Sequence, residues 1–326
     1  VVKRAGIPFA AIPAAGIHGV GARSLPGNLW KLAQGALAAG RVIRQFEPDV
    51  LFFTGGYTAP PVAFAGRSKP SVLFVPDIEP GWALKFISRY AEKICVTTEE
   101  SQAFFPGKRV TVTGYPLRPE LQPLPKAEAR ATFGLEADLP VLLVLGGSRG
   151  ARGINRALLA QLPQLLERYQ VLHASGELDW SEVSQMAAVL PVELAGRYHL
   201  YPYFEDNIAA AFSSADLVIS RAGASTLGEL PLFGLPAVLV PYPYAWRYQK
   251  VNADYLEKHG AAVTLPENRL EDELLGLVTD LLDDAQRLDA MRAAMRSLAR
   301  PDAAKNIADQ VRNLSSKHLH ASGRAG

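Results

Sequence analysis

The stretch that decides the fold is residues 216–252, DLVISRAGASTLGELPLFGLPAVLVPYPYAWRYQKVN. Asp216 to Ser220 read as a short apolar strand. Ala222, Gly223 and Ala224 supply a turn of small side chains, Ser225 or Thr226 can cap a helix, and Ala237 to Val240 form the next strand. A polar loop follows. In a parallel sheet such turns lie at the carboxyl ends of strands, where the free N–H groups of the helix start face a crevice. This segment is therefore the expected ligand holder.

The same unit repeats upstream. Pro140 to Leu145 make a strongly apolar strand that enters Gly146-Gly147-Ser148-Arg149-Gly150-Ala151-Arg152, and Ile154 to Tyr169 continue as a helix. The Lys-Ser/Thr ending of a Walker A loop is absent. The physical requirements of a phosphate cradle are nevertheless met: a buried strand, small residues, and a helix N-terminus facing an anion. Ser148 adds a hydroxyl, and Arg149 and Arg152 add positive charge. Strands at 169–174 and 198–201 follow, with helices over 178–189 and 208–214. His173 reads as a structural histidine, and the backbone before residue 208 suits a planar base. Residues 247–259 and 271–297 read as helices. Recurrence every 25–30 residues or so indicates a parallel α/β sheet with right-handed crossovers.

The first part of the chain has the same grammar. Residues 1–15 read as the end of a helix followed by a strand, so the chain is expected to start downstream of the usual first strand, loop and helix. Residues 16–27 form a glycine-rich loop, read as flexible rather than phosphate-binding. Asn28 to Phe46 form a helix that mixes Leu29, Trp30 and Leu37 with Lys31, Arg41 and Arg44. Such a helix suits either a core or a bilayer surface. A strand at 49–53 leads into Gly55-Gly56-Tyr57, and Thr58 begins a helix with Pro60 or Pro61 in its first turn. The strand Ser71 to Val75 ends in Pro76-Asp77-Ile78-Glu79-Pro80-Gly81, which makes Asp77 and Glu79 acid–base candidates as well as ordinary turn residues. A helix over 82–90 and strands over 91–97 and 109–113 follow. The prolines between 116 and 125 mark a linker.

Composition narrows the function classes. A chain of 326 residues, 48% hydrophobic, can bury two cores. The single cysteine, Cys95, excludes an internal disulfide and a cysteine-based metal cluster, and it sits where a packed core residue is expected. No apolar run reaches the length of about eighteen residues that a membrane span needs. Residues 1–119 carry 14 Lys/Arg against 7 Asp/Glu, whereas the remainder carries 20 against 25. A basic first part suits an anionic lipid surface or substrate. No basic–aromatic nucleic-acid module is present, so nucleic acid is not an expected partner.

In order and spacing, these loops resemble the MurG-type peptidoglycan N-acetylglucosaminyltransferases of glycosyltransferase family 28. The resemblance rests on Gly55-Gly56-Tyr57, Gly114-Tyr115-Pro116-Leu117-Arg118, the 146–152 loop, Phe204 to Asn207, Arg221 to Leu230, and Gln249 with Asn252-Ala253. It implies a GT-B fold, in which two Rossmann-like doubly wound domains face a cleft, the first of them truncated here. The expected division is 1–119 for the acceptor and membrane side, 120–125 as linker, and 126–300 for the UDP-sugar. Residues 301–318 form a helix near the boundary, and 319–326 a disordered tail. The implied reaction is inverting transfer of GlcNAc from UDP-GlcNAc to lipid I, undecaprenyl-diphospho-MurNAc-pentapeptide. It would take place at the cytoplasmic face of the plasma membrane, on a monomer or weak oligomer, with no required metal.

The resemblance also implies site roles. Ser148 and Arg149 approach the diphosphate, Gly223, Ala224, Ser225 and Thr226 shape its crevice, and Arg118 lies on the uracil side. Glu229 accepts from the ribose hydroxyls, a role a carboxylate suits, and Arg247 with Gln249 addresses sugar or phosphate. Thr226-x-x-Glu229 is equally a capping box. The pattern departs from the family in three places. The amino-terminal glycine loop has no counterpart, and His18 does not inherit its histidine. Val75-Pro76-Asp77-Ile78 stands where His-Glu-Gln-Asn is usual, and Ala245-Trp246-Arg247-Tyr248 lacks the usual histidine beside Gln249. Asp77, then Glu79, are the remaining base candidates. Another lipid-linked UDP-sugar transferase, of the diacylglycerol type, and a donor-binding protein with little turnover are the rival readings.

Overall fold

The computed structural model describes residues 6–16, 21, 23–147, 150–243 and 248–322, with 317–322 as backbone. Contacts divide the chain into two units, Val1–Thr113 with Asp302–Gly326, and Gly114–Pro301.

The first unit opens with α1 (Leu25–Phe46), which starts ahead of the expected Asn28 because Pro26 fits the first helical turn. Four parallel strands follow in the order β1 (Leu51–Phe53), β2 (Ser71–Val75), β3 (Lys93–Val96) and β4 (Val110–Val112). Helices α2 (Ala59–Ala65) and α3 (Trp82–Ile87) supply the first crossovers. Leu73, Val75, Ile87, Ile94 and Val96 are fully buried and form the core.

The second unit carries six parallel strands: β5 (Val141–Leu145), β6 (Gln170–Ala174), β7 (Tyr198–Tyr201), β8 (Leu217–Ser220), β9 (Ala237–Leu239) and β10 (Ala262–Thr264). Their helices are α4 (Lys126–Thr132), α5 (Arg152–Leu166), α6 (Trp180–Ala187), α7 (Val192–Ala195), α8 (Ile208–Ser214) and α9 (Thr226–Phe233). After them come α10 (Tyr248–Lys258), α11 (Leu270–Asp283) and α12 (Ala285–Ser297). The spatial order is β10-β9-β8-β5-β6-β7. The chain runs outward from β5 to β7, returns to lay β8 on the other side of β5, and runs outward again. That reversal is the topological switch point of a doubly wound sheet.

Apolar runs explain why β5 and β8 are central. Val141 to Val144 and Leu217 to Ile219 are fully buried, as strands covered on both faces must be. Leu142 and Val144 pack with Leu158, Leu162, Leu165 and Leu274 of α5 and α11.

Three expectations are revised. The segment 271–297 is two helices, because Asp284 leaves the helical region and its carboxylate caps α12 by accepting from the Arg287 N–H at 2.9 Å. The proline-rich stretch before α4 packs onto the second unit: Leu121 is buried and the Leu124 N–H donates to Ser213 Oγ at 3.0 Å. The final helix, α13 (Ala303–Ser322), runs through residues 319–322, which were expected to be a disordered tail. It belongs to the first unit, where it packs on β2, buries Leu314, and accepts a 2.7 Å hydrogen bond from Lys93 Nζ at Gln310 Oε1. Among the described residues no helix is long and apolar enough to cross a membrane.

Leu143 is fully buried in β5 between β6 and β8. Leu143→Ala is expected to destabilise the second unit by about 3 kcal/mol through the cavity it leaves. Denaturant titration of the full chain, followed by tryptophan fluorescence, measures this, and a loss below about 1 kcal/mol contradicts the two-faced core.

Candidate functional site

The register of the central pair fixes the site. Leu145, the last residue of β5, lies beside Ser220, the last residue of β8. The loops that follow, 146–151 and 221–225, therefore leave the sheet side by side.

The first loop is tightly folded. Gly150 has φ +80°, and a Cβ there would stand 2.4 Å from Ser175 O. A Cβ on Gly146 would stand 2.3 Å from the Ala151 nitrogen. Only glycine satisfies both, and the Gly150 N–H closes the turn on Gly147 O at 2.9 Å. Helix α5 then starts at Arg152, and its first N–H groups have no partner within the helix. Ser148 and Arg149, the expected diphosphate contacts, lie outside the described residues.

The second loop is anchored from behind. Asn252 of α10 is fully buried and its amide donates to Ala222 O at 3.1 Å, which fixes the turn through Gly223 and Ala224. Ser225 occupies the N-cap position of α9 but has helical dihedrals, φ −64° and ψ −27°. An N-cap hydroxyl needs an extended backbone to reach the helix N–H groups. Ser225 Oγ instead donates to Glu229 Oε2 at 3.0 Å, and the Thr226 hydroxyl donates back to Gly223 O at 2.5 Å. The capping-box alternative is therefore not formed. Glu229 is half-buried, and burial raises its carboxyl above the ordinary range, against the opposing effects of the Ser225 hydroxyl and the Arg118 charge. Arg118 is brought there by the 114–118 loop, which crosses α9 closely. A Cβ on Gly228 would stand 3.0 Å from Tyr115 Cβ.

A third wall is made after β9. Gln249 Oε1 accepts the Tyr242 N–H at 2.8 Å, so its amide nitrogen is the end left for a ligand. Arg221 donates to Val240 O at 3.2 Å, faces the Tyr242 ring at 5.2 Å, and pairs with Glu267. Arg247 lies outside the described residues. The structure thus brings Arg118, Gly223, Ala224, Ser225, Thr226, Glu229 and Gln249 to one end of the second sheet.

A cavity of about 360 Å³ sits elsewhere, between Lys126, Arg130, Asp216, Asp289 and Arg292. Asp216 and Pro140 precede β8 and β5, so this cavity is at the opposite end of the strands. Its charges already pair with one another.

In the first unit, Asp77 and Glu79 follow the carboxyl end of β2, on the same edge as Gly55 and Gly56 after β1. Asp77 is half-buried. Glu79 is buried, with the Lys85 ammonium 3.8 Å away.

His173 is the structural histidine expected: it is fully buried, with Tyr198 Oη at 2.8 Å and Asn155 Oδ1 at 3.0 Å. Asn155 had no role in the sequence reading. Its one signal was an amide, one of two with Gln161, in the largely apolar stretch Ile154–Leu162. Burial lowers the His173 pKa to about 3. A depressed folded value means that stability is complete above the unfolded value, near 6.5, and declines as pH falls toward 3. Between pH 7.5 and 5 the second unit is expected to lose about 2 kcal/mol from this group. Urea titrations across that range measure the slope, and a His173→Gln variant with an unchanged slope refutes the assignment.

Comparison with known proteins follows these loops. The family model described as "Glycosyltransferase family 28 N-terminal domain" matches residues 1–96, and that of the family 28 C-terminal domain matches 141–307. A relative from Roseiflexus sp. (strain RS-1) is 38% identical over 96% of this chain and 80% of its own. One from Desulforamulus reducens is 36% identical over 96% and 87%. Both are named UDP-N-acetylglucosamine–N-acetylmuramyl-(pentapeptide) pyrophosphoryl-undecaprenol N-acetylglucosamine transferase. The crystal structure of Acinetobacter baumannii MurG matches with a TM-score of 0.76 at 29% identity, over 96% of this chain and 87% of that one. A UDP-GlcNAc 2-epimerase from Neisseria meningitidis, 13% identical with a TM-score of 0.63 over 87% and 81%, shares the fold alone. With both halves matched in order, this chain belongs to glycosyltransferase family 28 and is a glycosyltransferase of the GT-B fold.

Proposed function

We propose that the protein transfers GlcNAc from UDP-GlcNAc to the MurNAc C4 hydroxyl of undecaprenyl-diphospho-MurNAc-pentapeptide, in peptidoglycan synthesis. The carrying observation is that relatives above 30% identity across nearly the whole chain bear the name of that reaction. The switch-point loops of the second unit supply a matching nucleotide half-site.

The reaction is a single displacement. The acceptor oxygen bonds to the anomeric carbon, the bond from that carbon to the diphosphate oxygen breaks with inversion, and UDP leaves. The departing charge meets N–H groups at the starts of α5 and α9, with Ser148 and Arg149 on the first loop. Glu229 reads the ribose hydroxyls, Arg118 the uracil side, and Gln249 with Arg247 the sugar. Asp77 takes the acceptor proton. Glu79 is the second candidate, because its carboxylate is buried and already pairs with the Lys85 ammonium.

The acceptor's lipid suggests a membrane surface. Helix α1 buries Gly35 and Ala39, and helical geometry sets Trp30, Leu37, Arg41 and Arg44 on the opposite stripe. All four are exposed, Trp30 at 67% and Leu37 at 68%. A stripe of apolar and cationic side chains suits an anionic headgroup layer on the cytoplasmic leaflet.

The decisive assay crosses UDP-GlcNAc, UDP-glucose and UDP-galactose with lipid I and diacylglycerol. Turnover of UDP-GlcNAc with lipid I is expected, and transfer to diacylglycerol alone sinks the reading. Glu229→Gln is expected to raise KM for UDP-GlcNAc about tenfold, since one charge-assisted acceptor is lost. In the parent protein UDP affinity falls as pH drops through the raised Glu229 value, because the carboxylate is the accepting form. Calorimetric titration of UDP against pH should show that fall in the parent protein and not in the variant. For the membrane surface, co-sedimentation with phosphatidylglycerol vesicles is expected to be salt-sensitive and to weaken in Trp30→Glu. Equal binding to phosphatidylcholine vesicles contradicts it.

A further inference from the structure

Behind the 146–151 loop lies a buried polar chain. The Asn155 amide nitrogen donates to Ser175 O at 2.9 Å and to Asp179 Oδ2 at 3.0 Å, so its oxygen is the acceptor that faces His173. His173 therefore carries its proton on Nε2. Its Nδ1 accepts, and the Tyr198 hydroxyl donates to it. Every donor in the series points the same way, from Tyr198 through His173 and Asn155 to the carboxylate of Asp179.

Asp179 is itself unusual. It stands at the N-cap position of α6, where an aspartate ordinarily accepts from its own helix, yet it makes no capping hydrogen bond. It is 5% exposed, and its second oxygen, Oδ1, accepts Arg152 Nε at 3.1 Å. Arg152 is the first residue of α5, and its side chain is 62% exposed. No other hydrogen bond holds it among the described residues, so the two terminal nitrogens of the guanidinium are open while its inner nitrogen is clamped. Gly150 stands between the two features: its added Cβ would meet Ser175 O and come 3.4 Å from Asp179 Oδ2.

A carboxylate this close to an anion-binding loop repels the anion unless its charge is spent on something useful. Here it is spent on orientation. An arginine fixed through Nε loses two of its torsional freedoms and presents a planar pair of donors, the fork that fits a phosphate. We propose that Asp179 is a positioning residue that holds Arg152 as a preset diphosphate fork, with Asn155, His173 and Tyr198 locking the carboxylate in place. This rests on the reading of the protein as a UDP-sugar transferase. It turns Arg152 from a charge near the loop into a directed ligand contact, and adds Asp179 as the residue that aims it.

The test uses the full chain and two probes, UDP and uridine, titrated by calorimetry against the parent protein, Arg152→Ala, Asp179→Asn and the double variant. The expected result is about a tenfold loss of UDP affinity in each single variant, with uridine affinity unchanged and no further loss in the double variant. In turnover, Asp179→Asn is expected to raise KM for UDP-GlcNAc, and Arg152→Lys to recover little, since an ammonium has no fork. Unchanged UDP affinity in Arg152→Ala, an exposed position that leaves folding intact, overturns the proposal. So do equal losses for uridine and UDP in Asp179→Asn, and so do additive losses in the double variant. A parent protein that fails to bind UDP at all overturns the function itself, a result distinct from these.

Discussion

The adjacency of β5 and β8 is the constraint on which the second unit depends. Both strands are apolar on both faces, so neither can sit at an edge without exposing a hydrophobic row to water. Once they are paired in parallel, with Leu145 beside Ser220, two loops of small residues are forced out together at the carboxyl end. The chain has no freedom to separate them. Sheet burial, worth about 25 cal/mol per Å² of apolar area, thereby sets the spacing of two helix N-termini that no local interaction could hold.

The proposed site then has to reconcile an anion with two carboxylates, one half-buried and one buried. Glu229 and Asp179 lie near loops whose N–H groups favour negative charge, and each is handled differently. Glu229 is partly desolvated, has the Ser225 hydroxyl on one oxygen, and feels the Arg118 charge. It is poised to trade weak partners for strong ones. Each oxygen of Asp179 already accepts from one neighbour, Asn155 or Arg152, and in the proposal it acts through what it holds. Burial with an incomplete set of donors makes a binding group, and burial with a complete set makes a brace.

Where backbone geometry dictates residue type, the sequence was readable. Gly146 and Gly150 are required by contacts that no Cβ survives, and strands such as Ser71–Val75 and Tyr198–Tyr201 match their expected limits because apolar runs end where burial ends. The capping-box alternative stayed open because Thr226-x-x-Glu229 fits the motif in letters, while Ser225 adopts helical dihedrals that only the folded turn determines. The break at Asp284 was missed for a related reason, since apolar spacing continues across it. Asn155 and Asp179 were invisible because their partners come from other elements, 18 to 27 residues away. Polar networks are specified by tertiary approach, and periodicity carries no trace of them.

The same distinction explains why the nucleotide half of the reaction is written more plainly than the acceptor half. A diphosphate is bound by backbone N–H groups, and exposing them demands glycine, small residues and a helix start in fixed order. That order is present in 146–152 and 221–229. A general base needs one carboxylate at the right place, and turns after strands are rich in carboxylates for reasons of their own. Asp77 and Glu79 show the consequence, because they share one turn and nearly one spacing, and only folding separates them. Glu79 is buried beside the Lys85 ammonium, whereas Asp77 stands half-buried where β1 and β2 end. One difference between their surroundings is a neighbouring lysine, a contact set by the packing of α3 rather than by any motif.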